Sequence, residues 1–348
     1  MSCVARAPVQ ASAEGAPRVL VAGATGFTGA LAAHLVWRHP DFQLTGVTGR
    51  SNQGRRLDDL YPRYRVPLAL EELDLDGPAG EVDAAIVAYP HAAAAPTVAA
   101  LRERGVRVVD LSADYRLRSL PSYEHWYGEH PRPELMQEAV YGLTELHRER
   151  IRDASLVANP GCYPTASLLA LAPLARAGVI GDVVVDAKQG ISGAGRTFDE
   201  STHYSLAGEN IVPYKVACHR HTPEIEEQLA LAGAGEQRVQ FQAHLVALDQ
   251  GELVSCYVTP GREVDGEEVR RLLAEAYAEE PFVEVVDGPP GVLEVRETNY
   301  CRLFVAHDEH TGKVLAFSAI DNLWKGTSSQ ALQNLNLMFG LPETRGLL

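Results

Sequence analysis

The chain has 348 residues, 46% of them hydrophobic, and a net charge of −15 from 31 basic against 46 acidic side chains. That length supports two domains of roughly 150 residues each. The acidic balance, with no long basic block, argues against nucleic acid or an anionic membrane as partner, and no apolar run reaches the roughly 18 residues that cross a bilayer. Five cysteines, an odd number in a long chain, do not make a disulfide framework and fit a reducing cytoplasm.

Residues 1–17 are rich in Ala, Pro and Ser, lack a signal-type apolar stretch, and read as a loose tail. Arg18 to Ala22 is a short buried strand. It runs into Gly23-Ala24-Thr25-Gly26-Phe27-Thr28-Gly29 and a helix from Ala30 to Arg38. Strand, glycine turn and helix is the context a dinucleotide pyrophosphate needs, because glycines admit the phosphates and the helix start donates N–H groups to them. The spacing is G-x-x-G-x-x-G, so a plain tight turn is the other reading. The second strand, Phe42 to Thr48, is followed by Arg50 and Ser51 with no acid at its end. These suit a 2′-phosphate and favour NADPH over NADH, the alternative being a solvated loop arginine.

Asp83 to Tyr89 is a further strand, ending in Pro90-His91. An Ala-rich helix over about 92–104 and a strand from Val106 to Leu111 follow. This alternation predicts a Rossmann-type, doubly wound parallel α/β sheet, with its crevice at the strand carboxyl ends. Arg116, just past a strand end, either binds a substrate anion or pairs with Asp114. Residues 119–150, with Pro121, Pro131 and Pro133, are expected to be irregular.

The stretch Ala158-Asn159-Pro160-Gly161-Cys162-Tyr163-Pro164-Thr165 follows a short strand, Ser155 to Ala158. Asn159-Pro160-Gly161 is a turn, Pro164 suits a first helical turn, and Thr165 to Arg176 reads as apolar helix that Pro173 must kink or end. Cys162 then faces orphan N–H groups and the positive end of a helix dipole, which favour thiolate. The other reading is a small buried hydrophobe.

Beyond this point the pattern changes to strands at 183–189, 239–247, 252–259, 282–286, 300–306 and 314–319, with hairpin signals at Asp249-Gln250-Gly251 and His310-Thr311-Gly312. A second, α+β domain with a mainly antiparallel sheet is expected, crossed by a helix over 267–279. Gly190-Ile191-Ser192-Gly193-Ala194-Gly195-Arg196 reads either as a phosphate cradle or as a flexible loop. His219-Arg220-His221 precedes a helix of about 223–233, with Thr222 as N-cap and Pro223 as first helical residue. Two imidazoles and a guanidinium there offer acid/base and anion-binding groups, the alternative being structural histidines. No metal is expected, because His-x-His lacks a third ligand at a usual spacing. Ala319 to Gly326 and a long helix from Thr327 to Gly340 end the chain, the helix returning to the first domain. The expected domains are 18–160 (nucleotide-binding), 161–318 (catalytic and dimerisation) and 319–348 (the returning helix).

Taken together, Asn-Pro-Gly-Cys-Tyr-Pro-Thr-Ala at 159–166, Gly-Ala-Thr-Gly-Phe-Thr-Gly at 23–29, Ser-Gly-Ala-Gly-Arg at 192–196, His-Arg-His-Thr-Pro-Glu-Ile at 219–225 and Asp-Asn-Leu-Trp-Lys-Gly at 321–326 resemble the N-acetyl-γ-glutamyl-phosphate reductases, arginine-pathway relatives of aspartate-semialdehyde dehydrogenase. The resemblance covers nearly the whole chain after residue 17; Tyr89 departs from it, since a Leu commonly precedes that Pro-His pair. It implies NADPH-dependent reduction of a small-molecule acyl phosphate to an aldehyde by a cytoplasmic homodimer or homotetramer. Cys162 would form a thioester and His221 would act as acid/base, with His219 as substitute. Cofactor contacts are expected at Gly23, Thr25, Gly26, Phe27, Thr28, Gly29, Arg50, Ser51, Pro90, Ser192, Gly193, Asn322 and Lys325. Substrate contacts are expected at Arg116, Asn159, Arg196, His219 and Arg220. Two rival readings stay open: the same chemistry on aminoadipyl phosphate borne by an acidic carrier protein, and a non-catalytic NADP-binding regulatory module.

Overall fold

The computed structural model describes residues 10, 15–77 and 81–348, so most of the expected tail lies outside the described residues. It divides into two compact units: residues up to Tyr115 with Glu129–Asn159 and Ala331–Leu348, and Arg116–Gly128 with Pro160–Gln330.

Unit 1 is built on one seven-stranded sheet. Its strands are β1 (Arg18–Ala22), β2 (Gln43–Thr48), β3 (Leu70–Glu71), β4 (Ala84–Val87), β5 (Arg107–Asp110), β6 (Val140–Tyr141) and β7 (Leu156–Ala158), in the order β3-β2-β1-β4-β5-β7-β6. Every pairing is parallel. Parallel strands are covered on both faces and so read as continuous apolar runs; Val19 to Ala22 and Ala84 to Val87 are fully buried. The order reverses between β1 and β4, which puts the ligand-binding crevice of such sheets at the carboxyl ends of those two strands. The chain's last segment closes this unit. Asn334 donates to the Gly142 carbonyl at 2.8 Å, Phe339 meets Phe42 edge to face at 5.4 Å, and Arg148 pairs with Glu343 at 3.1 Å.

Unit 2 carries β8 (Ile180–Gly190), β9 (Ile211–Tyr214), β10 (Val239–Val246), β11 (Glu252–Pro260), β12 (Val283–Val285), β13 (Cys301–Asp308) and β14 (Lys313–Ile320), in the order β12-β13-β14-β11-β8-β10-β9. Four pairings are antiparallel and two, β8 with β10 and β12 with β13, are parallel. The helix Cys162–Arg176 packs on this sheet, and every residue from Tyr163 to Ala175 is buried, as an all-round apolar helix requires.

Several expectations are corrected. Residues 119–150 are not irregular: a helix spans Leu120–Tyr127, its first turn held by Ser119 Oγ accepting from Ser122 N, and another spans Thr144–Arg152. Residues 116–128 fold with unit 2, where Arg118 N donates to the Glu227 carboxylate at 3.1 Å. Asp249-Gln250-Gly251 is no hairpin, because β10 and β11 lie on opposite sides of β8 and the segment crosses its end. His310-Thr311-Gly312 does join the antiparallel pair β13 and β14. The cysteine helix begins at Cys162, not Thr165, and continues through Pro173 to Arg176. Pro173 has no N–H for the carbonyl of Leu169; the Tyr277 hydroxyl donates to that oxygen instead, at 2.6 Å, which satisfies the carbonyl that the proline leaves without a helical donor.

Candidate active site

In unit 1 the crevice end of β1 is shaped by glycine. Gly23 has φ +94°, and a Cβ on it would lie 2.7 Å from the Ala88 carbonyl oxygen; one on Gly29 would lie 2.2 Å from the Gly23 oxygen. The turn is pinned by Gly23 N and Ala24 N donating to Thr48 O at 3.1 and 2.8 Å, and by Tyr61 Oη donating to Thr25 O at 2.9 Å. Gly26 is the N-cap of the helix Phe27–Arg38. No side chain caps it, and the space where its Cβ would stand is open within 4 Å. A helix start without a side-chain cap, beside an open, Cβ-less surface, fits a pyrophosphate. Next to it lies a cavity of about 240 Å³ lined by Gly49, Arg50, Gln53, Glu72, Leu73, Tyr89 and Thr97, with the Arg50 guanidinium 5.2 Å above the Tyr89 ring. Ser51 and Pro90 are exposed in the loops that follow β2 and β4. Thr25, Phe27 and Thr28 sit half-buried at the helix start. These residues fit a dinucleotide, Arg50 being the cation available to a 2′-phosphate and Glu72 an acid in the same cavity.

Unit 2 holds the thiol. Cys162 is the first residue of its helix, after Gly161 as an N-cap without a side chain to cap the turn. Glu224 holds the backbone of Gly161 itself. Its Oε1 accepts from Gly161 N at 2.9 Å, and its Oε2 lies 3.4 Å from Arg116 Nη1. The Asp114 carboxylate accepts from Ala92 N and Ala95 N at 2.7 and 2.9 Å, and Arg116 forms an ion pair with Glu224. A Cβ on Gly161 would come within 2.6 Å of His221 Nε2 and 3.0 Å of Arg116 Nη1, so glycine lets both side chains close on the turn. On the other side, a Cβ on Gly326 would lie 2.8 Å from the Cys162 Cβ. Gln189, near the end of β8, donates from Nε2 to the Cys162 sulfur at 2.9 Å and to Glu252 Oε2 at 3.0 Å.

His219 and His221 stand edge to face at 4.9 Å, and both pack on Tyr163, at 5.5 and 5.7 Å. His221 is itself the N-cap of the helix Thr222–Leu229, one residue before the expected cap. Its Nδ1 is buried with no hydrogen-bond partner. Burial first, then the nearby Lys215 and Arg220, lowers the His219 pKa to about 3. Burial, then His219, Arg116 and Lys215, holds His221 well below its usual value. Both rings are therefore neutral at pH 7, able to accept a proton. Arg220 lies half-buried over the Tyr127 ring at 5.3 Å, and Arg196 is exposed.

The thiol itself departs from expectation. Cys162 keeps some accessible surface, yet burial of its sulfur, and then the neighbouring Glu252 carboxyl, push its pKa well above 9. A helix N-terminus contributes about 0.3–1 kcal/mol toward an anion, whereas full burial shifts an ionisable group by up to about 3–5 pKa units. Burial wins, and the resting thiol is protonated.

The loop Gly190–Arg196 is anchored, not loose. Ile191 N and Ser192 N donate to Leu248 O and Asp249 O at 2.8 and 3.1 Å. Asn322 donates to Ser192 Oγ at 3.1 Å while accepting from Gly251 N at 2.8 Å. A Cβ on Gly193 would lie 2.2 Å from Gln189 Oε1, so the loop rests on the amide that holds the sulfur. Lys325 is fully buried in unit 2 with its ammonium 5.9 Å from the Phe282 ring centroid. Asn159 belongs to unit 1, where its Oδ1 accepts from Asn334 at 3.1 Å. Sequence reasoning missed Gln189, Glu224 and Glu252, polar residues whose burial is not visible in a linear pattern.

A glycine-lined nucleotide-binding sheet in one unit and a helix-start cysteine flanked by imidazoles in the other define a semialdehyde-dehydrogenase type of oxidoreductase. Residues 18–154 match the semialdehyde dehydrogenase NAD binding domain, and residues 162–322 match the semialdehyde dehydrogenase dimerisation domain. Among solved structures, aspartate semialdehyde dehydrogenase II from Vibrio cholerae superposes with a TM-score of 0.72 at 18% identity, over 93% of this chain and 99% of that one. An aspartate semialdehyde dehydrogenase with NADP from Candida albicans gives 0.67 at 17% identity, over 93% of this chain and 99% of that one. At such identities the likeness is one of fold. The chain is also 47% identical to the N-acetyl-gamma-glutamyl-phosphate reductase of Desulforudis audaxviator, over 95% of this chain and 98% of the relative. It is 45% identical to that of Moorella thermoacetica, over 94% and 96%. The chain belongs to the N-acetyl-γ-glutamyl-phosphate reductase family.

Proposed function

We propose that this protein reduces N-acetyl-γ-glutamyl phosphate to N-acetylglutamate 5-semialdehyde, releasing phosphate, through a thioester on Cys162, as a step of arginine biosynthesis. The observation that carries the reading is the gathering of Cys162, Gln189, His221, His219 and the Arg116–Glu224 pair around one helix start. NADPH, when bound by the glycine turn 23–29 with Arg50 and Ser51 on its 2′-phosphate, supplies the hydride. The Cys162 sulfur attacks the acyl carbon as the bond to phosphate breaks. Gln189 fixes the sulfur through its 2.9 Å contact. His221, neutral at rest with its Nε2 edge against Gly161, takes a proton from solvent, gives it to the carbonyl oxygen as that oxygen becomes a hydroxyl, and takes it back as the carbonyl re-forms. Arg116, half-neutralised by Glu224, and Arg220 draw the substrate's anionic groups.

We propose a homo-oligomer as well. The edge strand β9 and its flanks expose Tyr204, Ile211 and Val216 at 86%, 66% and 63%, on the part of the chain that matches a dimerisation domain. The described cysteines are free thiols, which suits a reducing cytoplasm. The decisive experiment offers purified protein N-acetylglutamyl phosphate and carrier-linked aminoadipyl phosphate with NADPH. Preference for the carrier-linked compound overturns the arginine assignment. Cys162→Ser is expected to abolish turnover, and near-normal turnover by it would end the covalent scheme.

A further inference from the structure

We propose that Glu252 is a further catalytic residue: its carboxylate takes the proton of the Cys162 thiol. This rests on the cysteine-nucleophile reading above. Glu252 opens β11, opposite Gln189 of β8 and Ile320 of β14. It is fully buried, and its carboxyl bears electrostatically on the Cys162 thiol. Its Oε2 takes the Gln189 amide at 3.0 Å, the same amide that reaches the sulfur at 2.9 Å, so one side chain fixes donor and acceptor together. Its other oxygen, Oε1, is buried with no hydrogen-bond partner. A buried carboxyl oxygen left unpaired is a structural liability, and such groups persist where chemistry uses them.

The titratable groups that bear on Glu252 are Cys162 from the helix, Asp321 after β14, and the Tyr163 and Tyr214 hydroxyls. Burial first, and Asp321 after it, raise its pKa to about 8, against the bonds from Cys162 and Gln189 that lower it. Above that pH the carboxylate faces an S–H bond. The S–H bond breaks, the proton moves to the carboxylate, and the electron pair stays on sulfur. Sulfur then bonds to the acyl carbon while the C–O bond to phosphate breaks with its pair on the phosphate, which takes a proton from solvent. When the aldehyde leaves, sulfur departs as thiolate and recovers its proton from Glu252.

The test is the iodoacetamide alkylation rate of the full chain between pH 6 and 10, for wild type, Glu252→Gln and Glu252→Asp, with Cys162→Ser as background. A base role requires a wild-type rate that titrates near pH 8, a fall of at least tenfold at pH 8 with an upward midpoint in Glu252→Gln, and partial rescue in Glu252→Asp. A carboxylate that only repels the thiolate gives the opposite sign: Glu252→Gln is alkylated as fast or faster, with a lower midpoint, and that overturns the proposal. Wild type showing the required pattern but no turnover of N-acetylglutamyl phosphate supports Glu252 and overturns only the substrate assignment.

Discussion

Gly161→Ala isolates the geometry of the nucleophile's turn. Gly161 has φ −67° and ψ 156°, an ordinary extended conformation, so alanine adds no backbone strain there. The whole effect is the new methyl. It would lie 2.6 Å from His221 Nε2 and 2.8 Å from Cε1, against the roughly 3.5 Å that packed atoms require. The imidazole must therefore retreat by about 0.9 Å, or the turn must move by as much. Overpacking of this kind costs about 1–3 kcal/mol of stability, which leaves a folded protein. A displacement of about 1 Å in the catalytic constellation costs roughly a hundredfold in rate. The expected result is a fall in kcat of about a hundredfold with NADPH affinity unchanged, read from steady-state kinetics and nucleotide titration. A variant with wild-type kcat would show that His221 does not act from the position it holds against this turn.

The remaining predictions use other parts of the molecule. Gly26→Ala meets no atom within 4 Å and leaves stability within about 0.5 kcal/mol, but it is expected to raise the KM for NADPH at least tenfold by filling the surface offered to the pyrophosphate; an unchanged KM would remove the turn from the cofactor site. Tyr277→Phe strips the hydroxyl donor from the Leu169 carbonyl and should cost about 1–3 kcal/mol in urea unfolding, most of it recovered when Pro173→Ala is added and returns an N–H to the helix. No recovery in the double variant would sink that account of Pro173. His219 supplies a pH dependence. Its folded pKa of about 3 lies below the unfolded 6.5, so the unfolded chain binds the proton more readily and stability falls as pH drops below 6.5. Between pH 6.5 and 5 its share of the loss is about 1.6 kcal/mol, and His219→Gln should shed that share; an unaltered acid slope would refute it.

Elements with strong local signals were legible in the sequence. The strands of the parallel sheet are doubly covered and therefore nearly all apolar, and β1, β4 and β5 fall within two residues of their expected limits. The elements missed had no such signal. β3 and β6 are two residues long, and β9 is an edge strand containing Pro213 with most of its residues exposed. The helix Leu120–Tyr127 carried start signals in Ser119 and Pro121, obscured by the prolines around it. At the site, cysteine and histidine are conspicuous as residue types. Glu252 is not: in Asp-Gln-Gly-Glu it reads as the rim of an exposed hairpin, and only the placement of β10 and β11 on opposite sides of β8 turns it inward.

The same burial that hid Glu252 reverses the expected state of the nucleophile. A helix start alone favours thiolate, and a linear reading has only the helix to go on. Enclosure by Gly326, Gln189 and Glu252 takes the sulfur out of water, and desolvation then outweighs the dipole. Ionisation must accordingly accompany attack, with a proton acceptor held on the same Gln189 amide as the sulfur. The close approaches at Gly161, Gly193 and Gly326 are what permit that enclosure: each brings backbone against His221, Gln189 or Cys162 at distances no Cβ allows. A site defined by missing side chains tolerates few substitutions. Alanine at Gly326, 2.8 Å from the Cys162 Cβ, is expected to displace the sulfur itself and to lower its alkylation rate together with kcat.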